Sequence, residues 1–190
     1  MAAELDSLTL ERARRGDPKA IAALVRFYER PVFALVGRLM CGRRAAAVED
    51  VAQEVFVRVV RAIGRFEPSG SARLSTWILT IATRACLNQL RGAFREEPMD
   101  ALGEVAAEAD VASPEAMTLD RERETLVVTA MAALPEQMRA VLVLRAYHDL
   151  DYPEIAAALD LEIGTVKSRL ARARLALREA LLRQDKEQAS

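Results

Sequence analysis

Residues 151–174 read Asp-Tyr-Pro-Glu-Ile-Ala-Ala-Ala-Leu-Asp-Leu-Glu-Ile-Gly-Thr-Val-Lys-Ser-Arg-Leu-Ala-Arg-Ala-Arg. The spacing predicts a short helix, a tight turn at Asp160 to Glu162 and a longer basic helix. Ile155 and Leu159 fall on one face of the first helix, and Ala156 is small enough for close packing. On the second helix, Val166, Leu170 and Ala173 recur at helical spacing and form an apolar back. Lys167, Arg169, Arg172 and Arg174 are left on the front, with Thr165 and Ser168 near its start. A basic run alone means only a solvated face. The short helix, turn and basic helix in this order point to a helix-turn-helix that meets phosphates and base edges in a major groove.

The flanking sequence is helical too. Asp17-Pro18 supplies a cap oxygen and a first-turn proline. Ile21, Leu24, Val25, Tyr28, Val32, Leu35, Val36 and Leu39 then follow the i, i+3, i+4 rhythm. Pro31 lies inside that run and is expected to kink or break it. A second helix is predicted from Val48 to Ile63 and stops at Gly64. A loop follows from Arg65 to Arg73, and Ser75 is placed to cap a third helix through Trp77, Ile78, Ile81, Ala85 and Leu90. Periodicity fails between Glu96 and Asp120. It resumes near Ser113-Pro114, and Pro135 starts a further helix. No segment alternates strongly enough to require a strand. The expected fold is all-α: two small helical domains, 8–95 and 121–183, joined by a flexible acidic linker at 96–120, with a tail at 184–190.

Net charge over the 190 residues is −1, yet the charges are segregated. Residues 58–95 hold seven Arg and one acid, 96–120 hold eight acids and no base, and 164–178 hold five bases and no acid. Two basic segments flanking an acidic one can grip a polyanion at two places. Met1 to Arg15 carries charges throughout and lacks the pattern of a signal peptide. No apolar run is long enough to span a bilayer. The expected location is the cytoplasm, without membrane insertion. Cys41 and Cys86 make neither a disulfide framework nor a metal spacing, so reduced, buried thiols are expected and no metal or cofactor. His148 is the single histidine. No phosphate-binding loop, metal set or nucleophile elbow accompanies it, so no enzyme is expected.

Ile155-Ala156, Gly164-Thr165-Val166-Lys167-Ser168-Arg169-Leu170 and Arg172-Ala173-Arg174 together resemble region 4 of bacterial sigma factors. Leu134-Pro135-Glu136-Gln137-Met138-Arg139 is similar to the helix that opens that region. This chain has Asp160 where the family usually has Gly, and Glu162 where it has a small capping residue. Val48-Glu49-Asp50-Val51-Ala52-Gln53-Glu54-Val55-Phe56 resembles region 2. The resemblance spans about 8–95 and 124–183 and lacks the extra regions of housekeeping sigma factors, which places it in the extracytoplasmic-function group.

That resemblance implies a transcription initiation factor. Asp50, Gln53 and Glu54 become contacts to core RNA polymerase. Thr165, Val166, Lys167, Ser168, Arg169, Arg172 and Arg174 become contacts to the duplex −35 element. Arg58, Arg61, Arg65, Phe66, Arg73, Trp77, Arg84 and Asn88 become candidates for the single-stranded −10 element, because arginines track phosphates and aromatic walls hold unstacked bases. Trp77 at helical spacing is also a core residue, and we read it mainly so. Arg84 and Asn88 stand where the family often has Asn and Asp. The family implies, in addition, an anti-sigma partner. A free-standing helix-turn-helix regulator is the alternative reading; residues 1–95 do not resemble the sensor module it requires.

Overall fold

The computed structural model describes residues 4–70, 72–93 and 125–188. Among them every regular element is a helix. Helix α1 spans Ser7–Arg14, with the Asp6 side chain accepting from the Thr9 N–H at 2.9 Å. It precedes the first helix expected from the sequence. Only Leu10 and Ala13 of it are buried, too few for a periodic signal. Helix α2 spans Pro18–Leu39 and starts as expected, with Asp17 accepting from Lys19 and Ala20. It does not break at Pro31. Pro31 and Phe27, the residue that loses its hydrogen-bond donor, both lie on the exposed side, where solvent has access to the freed carbonyl.

Helix α3 spans Ala45–Ala62 and tightens into a 3-10 turn at Ile63–Arg65. Helix α4 spans Leu74–Ala93. Ser75 lies within its first turn. The capping carboxylate is that of Glu4, which accepts from both the N–H and the hydroxyl of Ser75. Helix α5 is described over 125–132, α6 spans Glu136–Ala146, α7 Tyr152–Leu159 and α8 Ile163–Gln188. The expected linker, 96–120, lies outside the described residues, as does the expected start of helix near Ser113.

The core of the first half comes from Leu24, Leu35, Val36 and Leu39 of α2, Val51, Val55 and Val59 of α3, and Ile78, Ala82 and Cys86 of α4. The second half buries Val141 and Leu144 of α6, Ile155 of α7, and Val166, Leu170 and Ala173 of α8. Each such Val, Leu or Ile contributes about 1.5–3 kcal/mol of transfer free energy. The two halves do not stand apart. Their buried residues join into one continuous cluster, with α6 against α2 and α4, and α7 lying along α4.

Candidate nucleic-acid interface

The turn of the helix-turn-helix follows from local chemistry. Asp151 accepts from the Glu154 N–H at 2.8 Å, and Glu154 accepts from the Asp151 N–H at 2.9 Å, a reciprocal cap that starts α7. Asp160 ends it in the left-handed conformation at φ +56°. Asp tolerates that region better than most side chains, which explains how this chain does without glycine there. Helix α8 then presents Lys167, Ser168, Arg172 and Arg174 as exposed and Thr165 as half-buried.

Two members of the expected −35 set have other duties. Val166 is fully buried, so it holds the helix from behind and touches no base. Arg169 is half-buried, and its Nη1 donates to Gln137 Oε1 of α6 at 2.6 Å. The Arg172 guanidinium folds back on Ser168, 3.3 Å from the carbonyl and 3.4 Å from the hydroxyl. Lys167 Nζ lies 5.9 Å from the centre of the Tyr152 ring, and Arg145 sits 6.0 Å from the same ring. Gln137, Arg145 and Tyr152 carry no such signal in the sequence, since each matters through a neighbour on another element.

On the first half, Asp50, Gln53 and Glu54 are all exposed on α3. Arg58 is paired with Glu54 at 2.6 Å, so one expected DNA contact is joined to one expected polymerase contact. Arg61, Arg65 and Asn88 are exposed. Phe66 is buried: its ring packs on Trp77 with centres 5.3 Å apart, and Trp77 is half-buried. Phe66 therefore forms part of the wall and is not a free ring awaiting a base. Trp77 packs from its half-buried position against the core.

Arg73 and Arg84 are not free. Arg73 donates to Glu154 Oε1 at 3.1 Å, and the Thr76 hydroxyl donates to the same oxygen at 2.9 Å. Arg84 donates to the carbonyls of Ala158 and Ala157 at 3.0 and 3.2 Å. Helix α7 is thus gripped at both ends by α4 and the residue before it. Burial opposes ionisation of Glu154, but the bonds from Asp151, Thr76 and Arg73 outweigh it and hold the carboxyl below its ordinary range.

Deeper in the junction, Arg139 is buried and its Nη1 donates to Cys41 Sγ at 3.1 Å and, more weakly, to the carbonyls of Met131 and Ala132 at 3.4 Å. Sulfur is a poor acceptor. Arg139 Nε has no partner. An orphaned buried donor costs about 1–3 kcal/mol, so this contact opposes closure as well as filling it. Arg38 stacks 4.1 Å over Tyr147. Beside it His148 is held neutral: burial first, and then the Arg38 charge, push it down to about 4. Burial raises both thiols, Cys86 to about 12. Among the described residues no His, Cys, Asp and Glu cluster could hold a metal ion, and no helix is long and apolar enough to cross a membrane.

Comparison with known proteins matches residues 24–96 to sigma-70 region 2 and residues 125–177 to sigma-70 region 4. The RNA polymerase sigma-H factor of Pseudomonas aeruginosa is 36% identical over 186 residues, covering 94% of each chain. The ECF RNA polymerase sigma-E factor of Escherichia coli K12 is 34% identical over 180 residues, covering 90% of this chain and 92% of the relative. CnrH, solved in complex with the cytosolic domain of CnrY, superposes with a TM-score of 0.64 at 26% identity over 94% of this chain and 97% of that one. The sigma factor RpoE of Bartonella quintana, solved with the anti-sigma factor NepR, shares the fold with a TM-score of 0.68 at 21% identity, over 86% and 97% of the two chains.

Proposed function

The chain belongs to the sigma-70 family of RNA polymerase sigma factors, in its extracytoplasmic-function group, and from that premise we propose which of its surfaces select a promoter. It is a transcription initiation factor that binds core RNA polymerase and directs it to promoter DNA. In our reading the first domain, 8–95, docks on core through Asp50, Gln53 and Glu54. It takes up the −10 strand with Arg58, Arg61, Arg65, Arg73, Arg84 and Asn88, over a wall built by Phe66 and Trp77. The second domain, 121–183, reads the −35 duplex with Thr165, Lys167, Ser168, Arg169, Arg172 and Arg174. The acidic segment 96–120 joins the two. The factor works in the cytoplasm with the polymerase, has no chemistry of its own and needs no cofactor. A partner of the anti-sigma kind fits this reading, since the RpoE relative was solved with one.

The observation that carries the reading is α8: an apolar back of Val166, Leu170 and Ala173, wholly buried, under an exposed front of Lys167, Ser168, Arg172 and Arg174. A helix held so can enter a major groove without disturbing its own packing. The test is reconstituted transcription with core polymerase over a library of randomised promoters. Enrichment of two spaced elements is expected only when the chain is present. Tight, specific footprinting by the chain without polymerase would favour a free-standing regulator instead.

A further inference from the structure

Three consecutive residues at the start of α8 have no duty in the fold. Glu162 stands just before the helix, and its carbonyl accepts from the N–H groups of Thr165 and Val166 at 2.9 and 3.1 Å. Its side chain is exposed, and no described residue bonds to the carboxylate. Ser, Thr, Asp and Asn cap helices from this position, and Glu is not among them. Ile163 follows, a large apolar side chain left 43% exposed. Gly164 comes next. Its backbone is not left-handed, and a side chain added there would meet nothing within 4 Å. Glycine weakens a helix relative to alanine, and neither crowding nor conformation requires it here.

An idle acid, a bare aliphatic and an unforced glycine thus sit together at one end of the helix assigned to the −35 element. The N-terminal residues of a reading helix are the ones that reach base edges. Phosphates repel a carboxylate there, but exocyclic amino groups suit it. In the major groove only cytosine N4 and adenine N6 are such donors. Adenine sets its N7 acceptor beside N6, and a carboxylate, which only accepts, is disfavoured by it. Cytosine has no acceptor on its own edge. The apolar group in the groove is the thymine methyl, and an exposed aliphatic is its match. With no side chain at Gly164, the backbone can come close to the bases.

We propose that the tip of α8 is a specificity determinant: within the −35 element, Glu162 accepts from the amino group of a cytosine and Ile163 covers a neighbouring thymine methyl. This rests on the assignment of α8 to that element. Glu162 acts by exclusion as well. Guanine O6 and N7 or thymine O4, placed opposite its oxygens, would set acceptor against acceptor, so the wrong base is rejected and not merely unrewarded.

The test uses holoenzyme reconstituted from core polymerase with the parent, Glu162→Ser, Glu162→Gln, Ile163→Ala or Arg172→Ala. Each is selected against promoters randomised over the −35 window, and thermal unfolding checks that each variant is folded. The parent should enrich cytosine at one position beside a thymine. Glu162→Ser should lose that preference by at least about five-fold, the low end of one base contact. Glu162→Gln, whose amide both donates and accepts, should move the same position to adenine. On a fixed promoter with uracil in place of the thymine, the parent should bind about three- to four-fold more weakly, the worth of one buried methyl, and Ile163→Ala should not distinguish the two. If both Glu162 variants bind every sequence more tightly with the preference unchanged, the carboxylate only repels phosphate and the proposal is overturned. A parent indifferent to uracil overturns it too. If Arg172→Ala alters the −35 preference and the Glu162 variants do not, the proposal fails while the assignment of α8 stands. If no variant alters it, Arg172→Ala included, the assignment beneath it fails as well.

Discussion

Glu4 and Ser75, 71 positions apart, meet at the start of the helix that carries the −10 candidates. Oε2 of Glu4 accepts from the Ser75 N–H at 3.3 Å and from the Tyr28 hydroxyl at 3.0 Å, and Oε1 accepts from the Ser75 hydroxyl. One carboxylate thus caps α4 and ties it to α2. The charge also suits the positive end of the α4 dipole.

Glu4→Ala is expected to destabilise the chain by about 1–2 kcal/mol, the cost of losing a helix cap. Thermal unfolding of the full chain measures it. An unchanged midpoint would mean that water replaces the carboxylate without loss.

His148 gives the fold a dependence on acid. Its folded-state pKa is pushed down to about 4 from 6.5, by burial and then by Arg38. The unfolded chain therefore binds a proton that the folded chain refuses. The contribution to stability is complete above the unfolded value and is lost progressively as pH falls from about 6.5 to about 4, reaching on the order of 3 kcal/mol. Glu154 is depressed, so its share is present above its unfolded value, near 4.5, and goes only as pH falls further, through its lower folded value. Between pH 6.5 and 5, loosening should come from His148. Urea unfolding across that range checks it: the slope with pH should vanish in His148→Gln, a neutral side chain of similar reach. A slope that persists in the variant would assign the effect elsewhere.

The proposed polymerase-docking face allows binding to be separated from folding. Asp50, Gln53 and Glu54 are exposed, and Glu54 pairs with Arg58, a surface pair worth little. Replacing all three by Ala should leave the unfolding midpoint within about 0.5 kcal/mol of the parent. Affinity for core polymerase should fall by about 2 kcal/mol or more, if the set holds one hot spot. Titration of core with labelled chain decides it, and an unchanged affinity removes the face from the assignment.

What the sequence made legible was local. Asp160 to Glu162 mark the turn after α7, and Val166, Leu170 and Ala173 mark the back of α8 by spacing alone. Asp17-Pro18 likewise starts α2 where expected. The rest depends on what lies across a gap in the chain. Periodicity identifies the front of α4 but not that α7 rests there, so Arg73 and Arg84 read as free cations although each has a partner more than 70 residues away. Phe66 reads as an exposed loop aromatic until Trp77 is placed on it. Arg139 reads as one more surface charge of an opening helix. The helical rhythm that would have marked it as buried is weak, because the apolar residues after it, Ala140 to Leu144, run on without a polar gap.

The proposed reading helix offers the sharpest test, because three of its basic residues are held in different ways. Lys167 is exposed and lies near a ring, with no hydrogen bond to fix it. Arg172 leans on Ser168. Arg169 is braced by Gln137 at 2.6 Å, which leaves its remaining N–H groups aimed by a fixed neighbour. A braced guanidinium has the planar fork that guanine needs, whereas a lysine is a point charge. Losing a bidentate arginine–guanine contact costs about 1–3 kcal/mol at one position, and losing a phosphate contact weakens all sequences alike and lowers the salt slope by about one unit. Arg169→Ala is expected to relax preference at one position of the −35 element, and Gln137→Ala to relax the same position less. Lys167→Ala should act uniformly. Arg172→Ala should alter a different position from Arg169. None should move the −10 preference, which we assign to the other domain. Selection over randomised promoters, with each mutant as holoenzyme, gives the answer. If Arg169→Ala and Gln137→Ala lower the melting midpoint together but leave the −35 preference untouched, the pair is a strut between α6 and α8, and base reading belongs to Arg172 and its neighbours.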